Sequence, residues 1–181
     1  VGWPGEEEYR EPLEKNYDNV SGSIGATYEL ADRWFFRANF AAAHRSPNLA
    51  ELTSNGVHEL RYEIGNSELQ SQNAYETDAS VHYHSRYLTF DLAGFYNIVD
   101  RFIYIAPTAD TTSEGYHIYR YSQDDATLIG GEAGIHLHPE RLKWLHIEAA
   151  YSMVRGKQSN GDYLPFVPAN KLNGELKFEK E

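Results

Sequence analysis

The chain has 181 residues, a formal charge of −11 and no cysteine. These exclude disulfides, zinc–thiolate centres and thiol nucleophiles, and disfavour nucleic acid as a partner, since neutralising phosphates takes a basic face. No run of about 18 apolar residues occurs, which excludes a membrane-spanning helix but not strands: 14 Tyr, 8 Phe and 3 Trp at a mean hydropathy of −0.62 suit strands apolar on one face and wet on the other.

Period-two alternation begins at Val20 and recurs along the chain. Val20, Gly22, Ile24, Ala26, Tyr28 and Leu30 share one face, with Ser21, Ser23, Gly25, Thr27 and Glu29 on the other. After a break at Ala31-Asp32-Arg33, Trp34, Phe36, Ala38, Phe40 and Ala42 resume the apolar face against Arg37 and Asn39. Tyr75, Thr77, Ala79, Val81 and Tyr83 then oppose Glu76, Asp78, Ser80 and His82, and Leu88, Phe90, Leu92, Gly94, Tyr96 and Ile98 oppose Thr89, Asp91 and Asn97. A two-residue loop at Ser85-Arg86 sets His84 opposite Tyr87 and Val81 opposite Phe90, which keeps both apolar faces on one side.

Tyr116 to His138 reads as one long strand, bulged near Gln123 to Ala126 where the parity breaks. Ile129, Gly131, Ala133, Ile135 and Leu137 alternate there with Glu132 and His136. Leu145, Ile147, Ala149, Tyr151 and Met153 follow against His146, Glu148 and Ser152, and a turn centred on Arg141 sets His136 across from His146. Leu172, Gly174, Leu176 and Phe178 begin a last segment that stops at Glu181.

Connections near 31–33, 85–86 and 139–143 are short, whereas those near 46–72, 105–115 and 157–168 are long. Short turns at one end and long loops at the other are the habit of outer-membrane barrels. The expectation is therefore all-β: part of an antiparallel transmembrane β-barrel, about seven long strands with short periplasmic turns and long extracellular loops. Residues 1–18 form an extracellular loop segment and 19–181 the partial barrel, with Tyr28, Trp34, Tyr83 and Phe90 in the periplasmic aromatic girdle. A soluble β-sandwich also alternates, but its strands are commonly only about 5–6 residues long.

At the first long loop, Arg45-Ser46-Pro47-Asn48-Leu49-Ala50-Glu51-Leu52 is followed by Ser54-Asn55-Gly56-Val57-His58 and Tyr62-Glu63-Ile64-Gly65-Asn66. Phe95-Tyr96-Asn97, Phe102-Ile103-Tyr104, Gly130-Gly131-Glu132, and Leu164-Pro165 with Pro168 come after it. In this order the pieces resemble the barrel of TonB-dependent outer-membrane receptors, from about Asn19 onward. The resemblance implies a barrel of about 22 strands closed by an N-terminal plug, in the outer membrane of a Gram-negative bacterium, importing scarce nutrients with TonB-relayed energy. Ferric siderophores and haem are its commonest substrates. The plug, the TonB-contacting box, a final strand ending in an aromatic and any export signal are expected elsewhere in a longer parent. The expected partners are accordingly outer-membrane lipid, the plug and remaining barrel, TonB and a metal chelate. The resemblance also implies an architectural role for Arg45, Pro47, Glu51, Leu52, Asn55, Gly56, His58, Glu63, Gly65 and Asn66.

Arg45, His58, Arg61 and Tyr62 are nevertheless the candidates for touching substrate, since they offer the cations and hydrogen-bond donors an anionic chelate needs. His82 with His84, and His136 with His138 and His146, fall on the inward face near the short turns; imidazoles at such spacing suit a divalent metal, but they also suit a wet lumen wall. Glu76, Asp78, Asp91, Glu132 and Glu148 face inward too, as lumen-lining carboxylates rather than catalysts. No nucleophile elbow or phosphate-binding loop occurs, and no enzymatic activity and no cofactor are expected. The alternative within the same family is a zinc or other nutrient receptor; those of another class are an outer-membrane barrel hydrolase and a soluble sugar-binding β-sandwich. A barrel portion on its own leaves two open sheet edges, so self-association through them is expected.

Overall fold

A computed structural model describes residues 13–142 and 144–179. Residues 1–12 of the expected loop segment 1–18, and the chain end at Glu181, lie outside the described residues. The strands are β1 (Gly22–Leu30), β2 (Trp34–Arg45), β3 (Asn55–His58), β4 (Arg61–Ile64), β5 (Gln72–His84), β6 (Leu88–Thr111), β7 (His117–Leu137), β8 (Leu145–Gln158) and β9 (Lys171–Phe178), with a helix α1 (Leu49–Thr53) between β2 and β3. All nine strands join a single sheet, in which β1, β2, β5, β6, β7, β8 and β9 pair with their neighbours in that order, each antiparallel. One layer, not the two of a sandwich, is what long alternating strands build when lipid rather than a second sheet covers the apolar face. No helix among the described residues is long and apolar enough to cross a membrane, which says nothing of strands.

The ladder aligns the alternating faces into rows. Leu30, Trp34, Tyr83, Phe90, Ile135 and Ala149 follow one another across six strands, and Trp34 packs on Tyr83 with ring centroids 4.6 Å apart. The apolar side stays bare: Ile24 is 74% exposed, Ile129 50% and Leu172 76%. Burial of apolar surface drives folding in water at about 25 cal/mol per Å², so a sheet exposing so much of it needs another apolar solvent. The opposite face is concave and polar, forming a groove lined by Arg37, Ser80, His82, Asp91, Glu132 and Ser152.

Both hairpin registers differ from the expected ones by two residues. Ser85 closes the first turn by itself: its N–H donates to Leu88 O at 2.8 Å, while its Oγ donates to the same oxygen at 3.0 Å and accepts from Leu88 N–H at 3.1 Å. Arg86 and Tyr87 therefore occupy the loop, and Tyr83 faces Phe90. In the second, successive turns Pro139–Leu142 (3.0 Å) and Leu142–Leu145 (2.8 Å) lengthen the connection, so His136 faces Glu148 instead of His146. An even shift preserves every facing, whereas an odd one would have turned the apolar side inward.

The expected loop at 105–115 is instead mostly strand. Phe102 to Ile105 continue the ladder with Asp124 to Tyr121, and the β6–β7 hairpin closes only at Thr112–Tyr116, where Gly115 adopts φ +91°. The irregularity expected near Gln123 to Ala126 sits across from there. β6 takes three steps from Val99 to Phe102 while β7 takes two from Ala126 to Asp124. Arg101 carries the bulge at φ +57°, its N–H donating to Asp125 Oδ1 at 2.8 Å.

Candidate functional site

The first long loop is a folded unit rather than an open strap. Asn48 caps α1: its Oδ1 accepts from Glu51 N–H at 2.9 Å while Glu51 Oε2 accepts from Asn48 N–H at 2.8 Å. Arg45, at the end of β2, donates from Nη1 to both Glu51 oxygens at 2.9 and 3.0 Å. The buried Glu51 carboxylate thus accepts one backbone N–H and is paired with one cation, which offsets the cost of its burial.

Past α1, β3 and β4 form a hairpin, and β4 runs parallel to the upper part of β7, pairing Arg61–Ile64 with His117–Arg120. Glu63, also buried, accepts from Arg61 Nε at 2.7 Å and from the Tyr121 hydroxyl at 3.2 Å. Leu52, Leu69 and Ile103 close a small core beneath, with Tyr121 against it. Gly65 lets the chain return under α1: its N–H donates to Ser54 O at 2.7 Å and that of Asn66 to Glu51 O at 2.8 Å. A Cβ at Gly65 would lie 2.6 Å from both Ser54 N and Thr53 N. Gly65→Ala is expected to cost about 1–3 kcal/mol by forcing that backbone apart, seen as faster protease cleavage between β2 and β5.

The described N-terminal stretch docks on this unit, Asn19 Nδ2 donating to Ser46 Oγ at 2.6 Å and Tyr17 OH to Leu69 O at 3.3 Å. Gln123 ties β7 to it as well, donating to Gln70 O at 2.7 Å and to Arg101 O at 2.8 Å. The sequence marked Gln123 only as the start of a parity break, because one glutamine amid strand residues does not show which carbonyls it will bind.

The four candidate substrate contacts do not converge. Arg45 is committed to Glu51 at the base. His58 and Arg61 are cross-strand partners on one face of the hairpin, while Tyr62 points from the other, its hydroxyl on Asn55 Oδ1 at 3.2 Å. Arg61 also lies over the Tyr119 and Phe166 rings at 5.3 and 5.9 Å, so a third loop contributes to the His58–Arg61 face. Asn55, Gly56, Glu63, Gly65 and Asn66 all belong to the folded unit, and Pro47, which is buried, leads into α1.

On the concave face Glu76, Asp78, Asp91 and Glu148 are paired across strands with neutral or cationic neighbours. Asn39 Nδ2 donates to Asp78 at 3.0 Å, Asn97 Nδ2 to Glu76 at 2.9 Å and Lys177 to Glu148 at 2.8 Å. His82 pairs with Asp91, and His84 Nδ1 lies 3.1 Å from Thr89 Oγ1. His82 and His84 are therefore separate from the other histidines, which do come together. His136, His138 and His146 each offer one nitrogen within 4.8 Å of the others. Desolvation, then the charges of His136 and His146, hold the His138 imidazole below its ordinary pKa. At the neighbouring turn, the Tyr87 hydroxyl donates to Glu140 at 2.6 Å, which raises its pKa.

The chain matches the family described as "TonB dependent receptor-like, beta-barrel" over residues 5–180. No curated protein matches it. Among solved structures it resembles the copper transporter OprC (21% identity, TM-score 0.75), covering 88% of this chain and 24% of that one. The siderophore receptor PirA from Pseudomonas aeruginosa matches at 20% identity and TM-score 0.64, over 87% of this chain and 30% of that chain. The FrpB iron transporter from Neisseria meningitidis matches at 16% identity and TM-score 0.60, over 89% of this chain and 24% of its own. The chain thus spans between 24% and 30% of the length of these structures.

Proposed function

We propose that this chain, which belongs to the TonB-dependent receptor β-barrel family, forms part of the wall of an outer-membrane receptor that captures and imports a metal chelate, a ferric siderophore or haem, with energy supplied through TonB. The observation that carries the reading is the sheet itself. Seven long strands hold one register in which one face is bare and apolar and the other polar and paired, with folded loops at a single end.

In this reading β1, β2 and β5 to β9 line the lumen against a plug, the turns at 31–33, at 86–87 and after Pro139 face the periplasm, and residues 13–18 join the extracellular loops. Arg45 and Glu51 hold the first loop in shape. Substrate contact falls to His58 and Arg61, beside Tyr119 and Phe166, where a cation and aromatic rings suit an anionic aromatic chelate. Arg61→Ala is expected to weaken chelate binding about tenfold, or about 1.4 kcal/mol, with Arg45→Lys far milder. β1 and β9 pair on one side only among the described residues, so the chain expressed alone self-associates, measurable by light scattering in detergent.

The test is uptake of radiolabelled iron by cells whose only receptor for chelates is the full-length protein. Import of a siderophore complex or haem that stops on deleting the gene supports the reading. Undiminished import of every iron chelate, with none bound by the purified receptor, overturns it.

A further inference from the structure

Three histidines that have no part in chelate capture meet at the short-turn end of the concave face. His136 and His138 share a face two residues apart at the end of β7, and the lengthened turn brings His146, at the start of β8, beside them. His138 Nε2 lies 3.2 Å from His136 Nδ1. Two donors that bind one ion at metal–nitrogen distances of about 2.0–2.1 Å in a tetrahedron sit about 3.3–3.4 Å apart, so this pair is already at coordinating separation. The His138 and His146 rings stand 4.4 Å apart, centroid to centroid, nearly perpendicular.

The surroundings fit as well. His136 Nε2 is buried without a hydrogen-bond partner, 3.4 Å from Glu148 Oε1. With Nδ1 on a metal, that nitrogen carries the proton, and Glu148 is the carboxylate beside it that a small turn of the ring would engage, the outer-shell arrangement metal-bound imidazoles usually have. Lys177 holds Glu148 at 2.8 Å, which keeps the carboxylate beside the ring and out of the coordination sphere. His146 Nε2 likewise lies 3.5 Å from Glu179 Oε2. His82 and His84, spaced identically along β5, are engaged by Asp91 and Thr89 and form no such cluster.

We propose that His136, His138 and His146 bind one divalent transition-metal ion of the imidazole-preferring class, Zn²⁺ or Cu²⁺, with a fourth position open to the lumen. Three nitrogen donors without a thiolate or a coordinating carboxylate disfavour Ca²⁺ and Mg²⁺, which take oxygen. Bound there, the ion staples the ends of β7 and β8 across their connection. The site is independent of the chelate reading, since it lies at the other end of the sheet and uses none of the same residues.

The test is calorimetric titration of the intact, EDTA-stripped receptor in detergent micelles with ZnCl₂ and with CuSO₄, followed by Co²⁺ substitution to read the visible absorption of a nitrogen-ligated site. One equivalent is expected, bound more tightly for copper than for zinc. His138→Gln is expected to abolish it, and Glu148→Gln to weaken it about 10- to 100-fold. His82→Gln combined with His84→Gln is expected to leave it unchanged. No binding of Zn²⁺ or Cu²⁺ by the wild-type receptor overturns the proposal, whatever the variants do, and so does equal binding by a folded His138→Gln variant.

Discussion

Leu92→Arg is expected to destabilise the folded barrel in phospholipid vesicles by about 2–4 kcal/mol, the cost of a cation on the lipid face near the bilayer midplane. Leu92 lies midway along the part of β6 that precedes the bulge, opposite Val81 and Ala133, and is 48% exposed on the apolar side. Ala93, one residue on, takes the opposite face by strand alternation, across from Ser80 and Glu132. Ala93→Arg is therefore expected to cost far less, because its side chain enters water. Urea unfolding from vesicles, followed by tryptophan fluorescence, gives both values. Equal penalties at the two positions would mean that neither face meets lipid.

The second large effect belongs to Glu51. Replacing it with alanine removes the Glu51 half of the capping box, the bond from Asn48 N–H to Glu51 Oε2, worth about 1 kcal/mol, and leaves Arg45 Nη1 without its carboxylate. Arg45 is 43% exposed and so recovers part of its loss from water, which puts the total at about 2–3 kcal/mol, below the range for a fully buried pair. The damage is expected to stay local: α1 and the β3–β4 hairpin should become protease-sensitive while the long strands keep their ladder. Arg45→Ala should do less than Glu51→Ala, since the capping box survives it.

Much of the fold was legible because strand alternation is a direct imprint of two solvents. Seven long strands, their facing and the tight turns at one end follow from residues such as Ile24, Tyr28, Tyr96 and Ile129 alternating with polar neighbours. The registers were less legible. Ser85 closing its own turn, and a double turn after Pro139, are decided by local hydrogen bonds that parity does not see. The β6–β7 extension was hidden because its bulge at Arg101 breaks the period on one strand while the disturbance shows in the composition of the other.

Of the site residues, the loop motif was readable as a unit, but not how the unit splits. Arg45 and Glu51 belong to its base, and His58 and Arg61 to its surface, because alternation within a four-residue strand sends Arg61 and Tyr62 apart. The histidine cluster was more legible. A turn centred on Arg141 already sets His136 across from His146; the longer turn puts Glu148 opposite His136 instead, and His146 still meets both histidines.

The absence of cysteine makes the central claim open to direct measurement. Single cysteines introduced one at a time from Leu88 to Val99 in the full-length receptor, spin-labelled in vesicles, report access to oxygen dissolved in lipid and to a water-soluble nickel chelate. Oxygen access is expected to peak at Leu88, Phe90, Leu92, Gly94, Tyr96 and Ile98, with nickel access peaking between them. A profile without that two-residue period, or with nickel reaching both faces equally, contradicts a membrane-spanning sheet.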